Sequence, residues 1–351
     1  MNVNYLWVNP ALMKSHKKVL FILKKRQTSH TGLNTISSGL LNSASFVNNM
    51  LVQNGIESHL VEVQDNNCID REVTKYKPTH VIIEALWVVP SKFEILIEKH
   101  PNVEWIIRLH SDIPFLSNEG IAVDWIYKYL EYKNVKVSIN SKRADREFSL
   151  VTGENFLYLP NYYPVGFFNK NKPCIKHKKI LNVGCFGAVR PMKNHLLQAF
   201  ASIEYANKNN KILHFHINVG RVENNGDPVL KNLRSLFEND PKHSLIEHKW
   251  MTHDKFVNVL QKMDIGLQVS FSETFNIVAA DLVNNNIPVV VSDEISWVSP
   301  LFYAKTTSTK SIVKKMGLAY NFRNFKLHFI NKVRLYLYSL KSEKIWVNYF
   351  K

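Results

Sequence analysis

From Lys18 onward, short apolar runs alternate along the chain with stretches in which apolar residues recur every three to four positions. Runs of strand length separated by segments of helical period build a parallel sheet covered on both faces. Two such series are legible. The first predicts strands at 19–23, 59–63, 80–85, 104–110, 135–139 and 156–159; the second predicts them at 180–186, 214–219, 245–248, 265–269 and 289–292. Between them, 161–178 is rich in Pro, Asn and Lys and lacks periodicity, as an interdomain linker does. The final segment, roughly 322–350, carries Phe325, Phe329, Val333, Leu337 and Leu340 at helical spacing among Lys and Arg, which predicts a basic amphipathic helix. The expected organisation is a first domain at 1–165, a second at 166–321 and the basic helix at 322–351. The fold class is α/β: two Rossmann-like doubly wound units face each other across a cleft. In that architecture ligands bind at the carboxyl ends of the strands.

Composition supports two real cores, since 351 residues exceed what one core usually organises and 45% of them are hydrophobic. The longest apolar run, 81–89, falls well short of the roughly 20 residues that a membrane span requires. No secretion signal is read at the polar N-terminus, and Cys68, Cys174 and Cys185 are widely spaced, so a soluble cytoplasmic protein with reduced thiols is expected. Charge changes the picture more. Lys14, Lys17, Lys18, Lys24, Lys25 and Arg26 precede the first acidic residue, Glu57, and from 301 onward nine Lys and two Arg face Glu343 alone. The stretch between is neutral, so the whole net charge of +16 lies at the two ends. Such asymmetry suits a polyanion, either nucleic acid or an anionic membrane, and equally suits a Lys-rich solvated surface.

Two segments have the residue types of an anion site. The strand at 180–186 runs into Gly187-Ala188-Val189-Arg190-Pro191-Met192-Lys193-Asn194, after which a helix begins. A glycine permits close backbone approach, a helix start offers unpaired N–H groups, and Arg190 and Lys193 add two charges, so a phosphate fits there. The second segment, 270–281, follows the strand at 265–269. Glu273 precedes a helix and Asp281 lies within it, eight positions on. Carboxylates so spaced can contact two parts of one extended polyhydroxylated ligand while the N–H groups of Thr274, Phe275, Asn276 and Ile277 meet its phosphate. No Asp-x-Asp metal motif stands out.

The second segment resembles the Glu-x7-Glu region of retaining GT-B glycosyltransferases of the family 4 type, with Asp281 in place of the second acid. The likeness extends to the turn Thr31-Gly32-Leu33-Asn34 after the first strand, to Arg190 and Lys193, and to the exit Leu159-Pro160-Asn161 from the first domain. It implies a nucleotide-sugar donor of the UDP or GDP type, bound by Gly32, Gly187, Arg190, Lys193, Glu273, Thr274, Phe275, Asn276, Ile277 and Asp281. Glu273 would bind donor-sugar hydroxyls, Asp281 the ribose, and Arg190 and Lys193 the departing diphosphate, without a metal or other cofactor. His110, at the end of Arg108-Leu109-His110, resembles the histidine near the transferred sugar, and stands as a catalytic candidate with Glu273, Arg190 and Lys193. Retention of configuration and a terminal helix crossing back to the first domain come with the resemblance.

Segments such as Lys77-Pro78-Thr79-His80 and Asn161-Tyr162-Tyr163-Pro164 are similar to glycosyltransferases of tailed phages. That likeness implies, as acceptor, a hydroxymethylated pyrimidine in DNA, which the basic ends would hold through phosphates. A lipopolysaccharide or lipid-linked glycan acceptor, with the basic helix on an anionic membrane, is the alternative. A non-enzymatic DNA-binding protein is a further alternative, one that leaves the two anion-site segments unexplained.

Overall fold

The computed structural model describes residues 17–25, 39–166, 179–321 and 329–351. Gly32 and its turn, Cys174 and Phe325 lie outside the described residues.

Every strand read from the sequence forms, with ends that move by no more than two residues. The first sheet contains β1 (Lys18–Lys24), β2 (Glu57–Val63), β3 (His80–Glu84), β4 (Glu104–Leu109), β5 (Val135–Ile139) and β6 (Leu157–Tyr158). Their order is β2-β1-β3-β4-β5-β6, and all are parallel. The second sheet contains β7 (Ile180–Gly184), β8 (Ile212–Asn218), β9 (Ser244–His248), β10 (Ile265–Gln268) and β11 (Val289–Val291), also parallel, in the order β11-β10-β7-β8-β9. Central strands such as β1, whose five middle residues are all buried, read as unbroken apolar runs because helices cover both faces.

The covering helices are α1 (Gly39–Gln53), α2 (Ile69–Tyr76), α3 (Lys92–Lys99), the one-turn α4 (Ile113–Leu116), α5 (Ala122–Leu130) and α6 (Lys142–Thr152) in the first domain. In the second they are α7 (His195–Lys208), α8 (Gly226–Glu238), α9 (His253–Leu260), α10 (Ile277–Asn284) and α11 (Thr309–Asn321). Strand order reverses between β1 and β3 in one sheet and between β7 and β10 in the other, and those two switch points open the crevices that the site uses. Gly266 lets α10 sit close on β10, since a Cβ there would run into the Leu282 side chain.

The last helix, α12 (Phe329–Phe350), crosses from one domain to the other. Leu335 belongs to the core of the second domain, whereas Trp346 and Phe350 pack in the first with Phe21. The stripe expected to be its apolar seam is a correction: Phe329, Leu337 and Leu340 are exposed, Leu337 by 57%. The buried face is instead Asn331, Lys332, Leu335, Ser339, Ser342, Trp346 and Phe350. Small and polar residues occupy it because the helix seats against backbone. Asn331 accepts from the Ser299 N–H at 2.9 Å, and Lys332 donates to the Asn284 carbonyl at 2.9 Å and to the Asn286 side chain at 3.2 Å, closing the end of α10.

Where it is described, the basic N-terminal stretch meets the end of α12 at the amino ends of the first sheet's strands, opposite the cleft. Lys17 donates to the Tyr349 carbonyl at 2.6 Å, and Tyr349 also bonds Glu104 at the start of β4. Lys24 and Lys25 stand at the other end of β1, about 20 Å away by the rise of a strand.

Candidate active site

The carboxyl ends of the two sheets face each other, and the loops between them touch. Thr274 Oγ1 donates to the His110 carbonyl at 3.2 Å and accepts from Asn140 Nδ2 at 3.1 Å. Arg143, at the start of α6, reaches Asp112 at 2.6 Å and both oxygens of Glu294 in the second domain at 3.0 and 2.7 Å. The Arg190 guanidinium lies 4.4 Å from the centre of the Phe115 ring. A cleft of about 360 Å³ between these loops is lined by His110, Asn161, Arg190, Lys193, Glu273 and Thr274, among others. Two cavities share its walls. One, of about 590 Å³, lies on the first domain and includes Lys24, Lys25, Trp87, His110 and Glu119; the other, of about 170 Å³, lies in the second and includes Gly187, Asn218, Trp250, His253 and Asp281.

Each candidate is placed by local rules. Gly187 adopts φ +119°, a value that glycine tolerates, and its N–H donates to Asn218 Oδ1 at 3.2 Å. The turn continues through Arg190, 3.6 Å from Glu223, to Lys193, whose ammonium pairs with Glu273 of the neighbouring loop. Burial pushes Lys193 below its ordinary value, with Glu273 opposing and Arg190 reinforcing that shift. His195, at the start of α7, is buried with neither ring nitrogen partnered; burial, then Lys193 and Arg190, lower it to about 3, so it is neutral.

Asn276 holds the second segment in shape. At φ 61° it caps α10 through Oδ1, which accepts from the Ala279 N–H at 2.9 Å, while Nδ2 donates to Gln268 at 2.9 Å and Glu273 at 3.0 Å. Ile277 borders both the cleft and the smaller cavity. The Phe275 ring is turned away into the core against Trp297 and Tyr338, so only its backbone belongs to the loop that faces the cleft. Asp281 is 2% exposed, and one of its oxygens accepts from Tyr163 at 2.7 Å and from His253 at 2.8 Å. The bond to Asp281 raises His253 above its ordinary value, against the effect of burial.

Sequence reasoning missed the group that holds His110. Glu84 ends β3 and Arg108 nearly ends β4, directly opposite in register, and both side chains are fully buried. Arg108 donates to Glu84 at 3.0 Å and to Asn161 Oδ1 at 2.7 Å, and stacks on Trp346 of α12 at 5.1 Å. His110 bonds the second Glu84 oxygen through Nε2. Burial alone would raise the Glu84 carboxyl, but Arg108 and His110 hold it below the ordinary range. Burial also lowers His110, with Glu84 pulling up and Arg108 pushing down. The sequence shows a Glu and an Arg at the ends of two apolar runs, charges that must be paired if buried, but not that the two runs are neighbours in the sheet.

No family profile matches the sequence, and no curated protein matches it. Solved structures do. The chain superposes on HepE of Anabaena, determined with UDP and glucose, with a TM-score of 0.64 at 12% identity over 93% of this chain and 95% of that one. It superposes on the UDP-forming α,α-trehalose-phosphate synthase of Burkholderia vietnamiensis with a TM-score of 0.65 at 9% identity, over 96% of both chains. The third is TarM of S. aureus, determined with UDP, at a TM-score of 0.58 and 15% identity; the match covers 78% of this chain and only 55% of TarM. With two parallel doubly wound sheets opposed across a cleft and a terminal helix returning to the first domain, the chain has the GT-B fold of glycosyltransferases.

Proposed function

We propose that this protein is a nucleotide-sugar-dependent glycosyltransferase. One observation carries the reading: Arg190, Lys193 and Glu273 converge on a single cleft at the switch point of the second sheet. Glu273 neutralises Lys193. A donor diphosphate takes over Lys193 and Arg190, which releases Glu273 to the hydroxyls of the sugar. Charge then develops on the diphosphate as the bond from the anomeric carbon to oxygen breaks, and the two cations stabilise it without a metal. The acceptor oxygen bonds the anomeric carbon on the face that the leaving group vacates, its proton passes to a phosphate oxygen, and configuration is retained. The smaller cavity takes the nucleoside of a UDP or GDP sugar, with Asp281 and His253 at the ribose; that UDP is bound in HepE and TarM supports a donor of this type.

The acceptor occupies the cavity on the first domain. Lys24 and Lys25 at its wall favour a phosphate-bearing acceptor, and hydroxymethylated pyrimidine in DNA is the first reading of it. The exposed apolar residues of α12 favour the second reading, a lipid-linked glycan presented at an anionic membrane.

A panel of nucleotide sugars incubated with plain DNA, hydroxymethylpyrimidine DNA and lipid-linked glycan decides between them by product mass. Glu273→Ala and Arg190→Ala should each lower transfer by about a hundredfold or more with the fold intact. Unchanged turnover in both would remove the site assignment.

A further inference from the structure

Resting on the glycosyltransferase reading, we infer that Glu84 is a positioning residue: it holds His110 with the proton on Nε2, leaving the Nδ1 lone pair to accept a hydrogen bond from a hydroxyl of the transferred sugar.

The argument starts from what each group can donate. Glu84 is fully buried, and Arg108 binds both of its oxygens, at 3.0 and 3.3 Å. A carboxylate so held is an acceptor alone, so the nitrogen of His110 that bonds it, Nε2, must carry the hydrogen. Burial keeps the ring from gaining a second proton near neutral pH. Nδ1 therefore has a free lone pair. The backbone is fixed as well: Thr274 Oγ1 donates to the His110 carbonyl at 3.2 Å, tying this residue to the loop that carries Glu273. His110 borders the same cleft as Arg190, Lys193 and Glu273, so the part of a donor beside it is the group next to the diphosphate, which is the sugar. Sugar hydroxyls donate readily to such a lone pair. A ring with its proton on Nδ1 would face them with a second donor and lose that bond.

The charge pair is itself unusual. A fully buried Glu and Arg stabilise a fold little over an apolar pair of the same size, so a mechanical role alone explains them poorly. The pair links the site to the rest of the molecule, because Arg108 also bonds Asn161 at the domain exit and stacks on Trp346 of α12.

Nitrogen-15 NMR of the histidine rings of the full-length protein tests this directly, with the His110 signals identified by their loss in His110→Ala. The expected ring is neutral with hydrogen on Nε2. Hydrogen on Nδ1, or on both nitrogens, overturns the inference, and that measurement stands even if no sugar transfer is ever found. Kinetics give the second arm. Glu84→Gln, whose amide can donate and so reverse the tautomer, should lower kcat about tenfold or more and leave the donor KM nearly unchanged. In the His110→Ala background the same change should have no further effect. An equal loss in both backgrounds marks Glu84 as mere scaffold and overturns its positioning role. Should Glu84→Gln fail to fold around an unpaired Arg108, the wild-type tautomer decides alone.

Discussion

At the scale of single residues, the site is a set of charges paired with one another. Lys193 has Glu273, Arg190 has Glu223 and the Phe115 ring, and Asp281 has Tyr163 and His253. Buried charge demands this, since an unpaired ion in a low-dielectric cleft is far more costly than a paired one. The Asp281 carboxylate, set within α10, is held by Tyr163 from one side and His253 from another. The linkage has a definite sign. His253 titrates above its ordinary value in the folded protein, so its stabilisation is fully present below about pH 6.5 and is lost as pH rises through the shifted value. Thermal melts of wild type between about pH 6 and pH 8 should therefore show a fall in Tm that is smaller in His253→Asn. Parallel profiles in the two proteins would mean that the pair contributes nothing to stability.

Among the elements, α12 departs furthest from its sequence reading. Its apolar positions suggested a seam at Phe329, Val333, Leu337 and Leu340, yet the helix turns Leu335, Ser339, Ser342 and Trp346 inward. Periodicity counts apolar side chains, and this interface is decided by close approach, with small serines buried and a lysine closing another helix. Trp346 is its anchor. The ring is fully buried, donates to the Pro160 carbonyl at 2.7 Å and lies under Arg108. Trp346→Ala should destabilise the protein by about 3–5 kcal/mol in urea unfolding, because the cavity cannot collapse around a fixed guanidinium. A loss below about 1 kcal/mol would show that the end of α12 is merely apposed to the first domain.

On the scale of the whole molecule, the two domains are joined by contacts that a ligand must respect. Arg143 bridges Asp112 and Glu294, Tyr163 reaches Asp281 from the linker, and α12 ties both domains together. Arg143 is partly exposed and screened by salt, so its effect is on orientation more than on stability. Small-angle scattering of ligand-free Arg143→Ala should give a larger radius of gyration than wild type; an unchanged radius would assign closure to Tyr163 and α12. Charge is also reapportioned at this scale. Lys332, Arg334 and Lys315 bond backbone carbonyls, so part of the C-terminal surplus serves the fold. Among the described residues, no helix is long and apolar enough to cross a membrane.

The sequence by itself determined the alternation of strands and helices, since a strand buried on both faces must be an unbroken apolar run and shows as one. It also marked the turns that carry Arg190, Lys193 and Glu273, because a glycine turn, a helix start and a charge are local signals. What brings residues together across long separations left no such trace. Glu84, Arg108 and His110 meet only because β3 and β4 are neighbours in register, and Asn161 joins them only because the chain leaves the first domain there. His253 finds Asp281 from another helix, and α12 chooses its buried face by what it packs against. Those partners were set by the tertiary structure, because pairing a buried charge and seating a helix depend on distance in space, which the order of residues along the chain does not fix.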